Sequence, residues 1–130
     1  IDPGNARALE QLGLIEMRRG HWEAARQQLE RAVAANPRLP VAWNNLGVAL
    51  SHLNRPGAAL AAWRQALGLN PNLWDTLWNL GLGQAEQGQT LEARATLGRF
   101  IAQAPPALYG AQVMKARRLL AQLGNGLLRR

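Results

Sequence analysis

Apolar residues recur along this chain in steps of three and four, and the same pattern returns after 34 positions. Leu9, Trp43 and Leu77 share a column, as do Leu12, Leu46 and Leu80, then Gly13, Gly47 and Gly81. The register continues without a gap through Ala25, Ala59 and Ala93, through Leu29, Trp63 and Leu97, and through Pro37, Pro71 and Pro105. Steps of three and four put side chains on one face of a helix, and a glycine in that face lets a neighbouring helix come close. Between the two apolar groups, Gly20, Asn54 and Gly88 fall in one column, and both residue types tolerate the left-handed conformation that ends a helix. Asn36-Pro37 and Asn70-Pro71 then stop the second helix, since the residue before a proline is pushed out of helical geometry. Each repeat therefore reads helix, turn, helix, stop. The spacing predicts helices over 6–19, 22–35, 40–53, 56–69, 74–87 and 90–103.

One hairpin cannot bury both of its apolar faces, so the core is expected as a seam between stacked repeats. The predicted organisation is a tail of a preceding repeat over 1–5, then repeats over 6–39, 40–73 and 74–107. Asp2-Pro3 stands 34 residues before Asn36-Pro37, so the parent protein is expected to continue N-terminally with further repeats, an anchor or another domain. After Pro105-Pro106 the register ends, because the columns that should carry Gly and Trp carry Lys115 and Ala111. Tyr109, Val113, Ala116, Leu120 and Leu123 still make an apolar stripe, with Gln112, Lys115, Arg118 and Gln122 off it. That stripe predicts a capping helix over 108–124 with a polar outer face, ended by Gly124-Asn125-Gly126, and a frayed end over 125–130.

The pattern Trp43, Leu46-Gly47, Ala59, Trp63 and Pro71 resembles the tetratricopeptide repeat family, and the likeness covers residues 1–106. Departures are Glu16, Leu50 and Gln84 in a column where that family often has Tyr, and Leu9 and Leu77 in place of its Trp. The resemblance implies an all-α, right-handed α-solenoid of antiparallel helix hairpins, about seven helices in all, with first helices on the concave side and second helices on the convex side. It also implies a non-enzymatic scaffold whose partner, a protein or peptide, lies in the concave groove. Carried over column by column, the inward positions are Arg7, Glu10, Gln11, Leu14, Met17 and Arg18, then Val41, Asn44, Asn45, Val48, Ser51 and His52, then Asp75, Trp78, Asn79, Leu82, Ala85 and Glu86. The ligand-binding set read from these is Gln11, Leu14, Asn44, Asn45, Val48, His52, Asp75, Trp78, Asn79 and Leu82. Gln11, Asn45 and Asn79 form a ladder of amides, which both donate to and accept from a peptide backbone. Leu14, Val48 and Leu82 form an apolar track beside it, and Trp78 offers a flat anchor of the kind enriched at hot spots. The same residue types also serve idealised repeats without a ligand, and the apolar track also fits packing within a hairpin. A subset of the family grips the C-terminal carboxylate of chaperones through Lys and Arg, but those columns here hold Glu10, Leu14 and Asp75, with Asn45 alone matching, so tail clamping is not expected. Trp43 and Trp63 are expected in the core, Trp22 packed on its turn, and Trp74 and Trp78 exposed.

Charge changes the picture at one end. Up to Glu92 the chain holds eight basic and eight acidic residues, and the whole excess of the net +7 lies in Arg94, Arg99, Lys115, Arg117, Arg118, Arg129 and Arg130. Lys115, Arg117 and Arg118 on the cap form a candidate patch for an acidic partner, against the alternative of a solvated helix face. A nucleic-acid role would need stacking aromatics among the charges, and Tyr109 alone is available.

Catalytic chemistry finds little to work with. There is no Cys, and His21 and His52 have no accompanying nucleophile or base motif. Two His 31 residues apart with scattered carboxylates do not form a metal site, and neither Gly81-Leu82-Gly83 nor Gly124-Asn125-Gly126 completes a phosphate-binding fingerprint. No cofactor, small-molecule substrate or membrane span is expected. Two further readings stay open: a self-associating structural domain, and an accessory domain of a larger enzyme or of an envelope or secretion assembly. Abundant Ala, Leu, Gly and Arg beside a single Lys point to a bacterial source, and nothing in the chain fixes a compartment.

Overall fold

The computed structural model describes residues 3–128, with side chains over 5–124. The described residues form seven helices and no strand: α1 (Pro3–Arg18), α2 (Trp22–Ala35), α3 (Pro40–His52), α4 (Pro56–Leu69), α5 (Trp74–Glu86), α6 (Thr90–Gln103) and α7 (Pro106–Leu128). They fall into two compact units, Ile1–Leu73 and Trp74–Arg130. In the first, α1 pairs with α2 and α3 with α4, and α2 packs against α3. In the second, α5 pairs with α6, and α6 packs against α7.

The hairpin turns obey the column that links them. Gly20, Asn54 and Gly88 have φ of 75°, 60° and 74°. After each, the amide of His21, Arg55 or Gln89 donates to the carbonyl of Glu16, Leu50 or Gln84 at 2.9 Å, the six-to-one bond that closes a helix through a left-handed residue. The stop between hairpins is equally explicit. The Asn36 and Asn70 side-chain oxygens accept from the amides of Arg38 and Asn72 at 3.1 and 3.0 Å, a local bond that competes with helix continuation.

The glycine column explains how closely the two helices of a hairpin lie. A Cβ on Gly13 would stand 2.6 Å from Leu29 Cγ, one on Gly47 2.5 Å from Trp63 Cδ1, and one on Gly81 2.7 Å from Leu97 Cδ2. Each glycine thus seats the large side chain sixteen positions later, and those three side chains are buried. Trp63 also donates its indole N–H to the Asn44 carbonyl at 3.2 Å. Ala25, Ala59 and Ala93, at 1% exposure or less, line the same contact from the second helix.

The structure departs from the sequence expectations at both ends. α1 begins at Pro3, ahead of the expected start at 6; residues 1 and 2 lie outside the described residues. Leu12 is 48% exposed where its column mates Leu46 and Leu80 are 5% and 6% exposed, because no described element lies on that side of α1. At the other end α7 starts at Pro106 and runs through Gly124-Asn125-Gly126 to Leu128, so those residues do not stop it. Tyr109 interrupts it with φ −119° and ψ 17°, close to the expected start at 108. Two small hydrogen bonds from Leu108 and Tyr109 to the Pro105 carbonyl, 3.1 and 3.0 Å, make the turn that precedes the regular helix.

Candidate functional site

The α1 and α3 positions expected as inward differ in burial. Gln11 is exposed, Leu14 half-buried, and Asn44, Asn45 and Val48 are half-buried on α3. Arg7, Glu10 and Val41, all from inward columns, line one shallow depression of about 150 Å³ with Leu39 and Pro40. Glu10 is 9% exposed and Val41 48%, so an acidic side chain sits deep in this depression beside an open apolar rim.

His52 differs from its neighbours. Its ring stacks flat on Trp22, centroids 3.7 Å apart and planes 1° from parallel, so one ring face is already covered by α2. Trp22 thereby also reaches the next hairpin. His21, on the adjacent turn, instead pairs with the Glu16 carboxylate at 2.8 Å, which also meets Arg19 at 3.6 Å. Trp43, expected in the core, is half-buried and donates its indole N–H to the Pro37 carbonyl at 2.8 Å; the ring braces the loop that ends the first repeat.

In the second unit α5 presents Asp75 exposed and Trp78, Asn79 and Leu82 half-buried. Trp74 and Trp78 are both half-buried, against the expected exposure. Trp78 leans on Phe100, with centroids 5.6 Å apart and planes at 39°, and Tyr109 meets the same Phe100 edge-on at 5.9 Å and 80°. Phe100 is fully buried. Burial, foremost, and then the negative charge of the nearby Asp75 carboxylate push the Tyr109 pKa up. Sequence reasoning missed this cluster. The available signal was Phe100 itself, which fills the column where the two earlier repeats have Ala32 and Ala66.

Gln84 occupies the column where Tyr is frequent in the resembled family; it is 4% exposed and accepts from the Thr96 hydroxyl at 2.7 Å, which makes it part of the hairpin's interior. The basic patch residues Lys115, Arg117 and Arg118 are all exposed on α7. Arg117 also borders a depression of about 380 Å³ with Ile101, Leu120 and Ala121. Outside these faces, Arg26 on α2 is held between Glu23 and Glu30. That clamp holds the Arg26 pKa above its usual value and the Glu23 pKa below its own, as a solvent-side helix network does. Among the described residues no three His, Cys, Asp or Glu side chains converge as metal ligands, and no helix is long and apolar enough to cross a membrane.

Comparison with known proteins gives the same architecture. Two tetratricopeptide repeat profiles match residues 10–73 and 75–106. The peroxisomal targeting signal receptor of Saccharomyces cerevisiae is 30% identical over 86 residues, which are 66% of this chain and 14% of the receptor, so the chain spans about a seventh of that relative. Among solved structures, the first such domain of Spaghetti (RPAP3) bound to the HSP90 peptide SRMEEVD superposes with a TM-score of 0.86 at 20% identity, covering 98% of this chain and 97% of that one. The type III secretion translocator chaperone SycD of Yersinia enterocolitica superposes with a TM-score of 0.85 at 13% identity, covering 97% and 88%.

Proposed function

This chain belongs to the tetratricopeptide repeat family, and on that premise we propose that it is a non-catalytic scaffold that binds a peptide or protein partner along its first helices. The observation that carries this reading is the first-helix face itself. In unit 1 inward residues from α1 and α3 converge on one depression, with Arg7 and Glu10 opposite Val41. In unit 2 α5 holds Trp78, Asn79 and Leu82 half-buried and open on one side. Half-buried amides and apolar side chains on a rigid helix suit an extended peptide, since the frame is already ordered before binding. Relatives of the same fold give precedent: the RPAP3 domain is bound to an HSP90 peptide, and SycD is also known in complex with a peptide of the translocator YopD.

The ligand here differs in charge from that HSP90 peptide. SRMEEVD carries three acidic residues, whereas the first-helix face of this chain sets Glu10 beside Arg7 in unit 1 and carries Asp75 in unit 2. Like charges brought together disfavour such a tail. Affinity capture from the source lysate tests the reading, run beside a Trp78→Ala/Asn79→Ala double variant checked for native helicity by circular dichroism. A partner captured by the native chain and lost by the variant supports first-helix binding. A partner retained by both moves the contact to the exposed α7 cations or to the second helices, and no partner favours a self-associating structural role.

A further inference from the structure

α5 carries two charged side chains, Asp75 and Glu86, and both are acidic, in a chain whose net charge is +7. Asp75 and Trp78 stand three residues apart and so are neighbours on one helix face. The Asp75 carboxylate lies near enough to the Tyr109 phenol to help burial push its pKa up. Phe100 lies beneath, within 5.6 Å of the Trp78 ring and 5.9 Å of the Tyr109 ring. The result is an exposed carboxylate flanked by two half-buried aromatic rings over a fully buried third. A carboxylate offers about four acceptor positions, so Asp75 has room to accept from a forked donor.

We propose that Asp75, Trp78 and Tyr109 form a subsite for one cationic side chain, arginine in preference to lysine, of an extended peptide lying along α5. The guanidinium is planar, stacks on aromatic faces and donates in a fork that matches a carboxylate, and its weak hydration makes it the easier cation to seat beside apolar rings. The inference rests on the scaffold reading of the same face and adds to it the chemistry of the residue recognised. It also separates this chain from relatives whose peptide is acidic.

The test is a nuclear magnetic resonance titration of the full chain with three amidated heptapeptides that differ at the central residue: arginine, its uncharged isostere citrulline, or glutamate, each flanked by Leu and Ala. The arginine peptide is expected to shift the Trp78 indole resonance and to bind about fivefold more tightly than the citrulline peptide, the size expected for a partly exposed cation–π contact joined to one ion pair, with the glutamate peptide weaker still. Asp75→Asn should reduce the arginine preference to less than about twofold while leaving the citrulline affinity unchanged, and Glu92→Gln, an exposed acid on α6, should leave the preference intact. Equal binding of arginine and citrulline peptides at α5, or a preference that survives Asp75→Asn, overturns the subsite and leaves the scaffold reading standing. Shifts confined to α2, α4 and α6 overturn both. Concentration-dependent dimerisation abolished by Asp75→Asn would also overturn it, by assigning the carboxylate to the basic end of a second copy.

Discussion

The tightest constraint on this chain is a missing atom. Gly47 lies against the Trp63 indole so closely that an added Cβ would stand 2.5 Å from Cδ1 and 2.8 Å from Cε2, and a buried indole braced by a hydrogen bond to the Asn44 carbonyl has little freedom to retreat. Gly47→Ala should therefore destabilise by about 1–3 kcal/mol, as overpacking does. Gly57→Ala, where the added Cβ meets nothing, should stabilise by about 0.5 kcal/mol through the unfolded chain. Urea denaturation followed by circular dichroism reads both. Tyr109 supplies a second residue-level measurement because it is the single tyrosine. Its folded-state pKa is raised, chiefly by burial and then by Asp75, so the stability that the neutral phenol contributes is fully present below about pH 10, the unfolded value, and is lost as pH rises through the raised one. Ultraviolet titration of tyrosinate should give a midpoint above the ordinary range in the native chain and closer to it in Asp75→Asn.

Helices reveal which positions of a repeating pattern are equivalent and which are not. Leu12 and Leu46 share a column, yet Leu12 is 48% exposed and Leu46 5%, since α3 has α2 on that side and α1 has no described element there. Leu46→Ala should cost about 2–5 kcal/mol and Leu12→Ala less than about 1 kcal/mol, and equal losses in thermal or denaturant unfolding would mean that the α1 face is covered in solution. The helices themselves were legible because apolar spacing, a left-handed turn residue and Asn-Pro stops all agree: the starts of α2 to α6 at Trp22, Pro40, Pro56, Trp74 and Thr90 are the ones the columns predict. α7 was less legible. Its Gly124-Asn125-Gly126 carries a stop signal, but a helix end needs the left-handed turn and its closing bonds, not the residue types alone, and the helix passes through to Leu128. Side-chain partners were the least legible, because they depend on neighbours brought from other helices. The Trp22 to His52 stack and the convergence of Trp78 and Tyr109 on Phe100 follow from packing that no periodicity encodes, although the Ala32, Ala66, Phe100 column marked the place.

At the scale of the molecule, sequence and structure agree on a division of labour within each unit. Second helices fill the hairpin interior through Ala25, Leu29, Ala59, Trp63, Ala93 and Leu97, and first helices keep Asn44, Asn45, Trp78 and Asn79 half-buried, with Asp75 exposed. Marginal stability favours such an arrangement, since ligand contacts are held by helices whose order is already secured by packing. Part of the excess positive charge, Lys115, Arg117 and Arg118, is exposed on α7, where salt-dependent attraction of an acidic surface is the physical expectation. The proposed partner contact is therefore a property of α1, α3 and α5, and hydrogen–deuterium exchange of the chain with and without its captured partner tests it most directly. Protection is expected at peptides spanning those three helices, with α2, α4 and α6 unchanged; protection confined to the second helices or to α7, with α1, α3 and α5 exchanging as in the free chain, would contradict it.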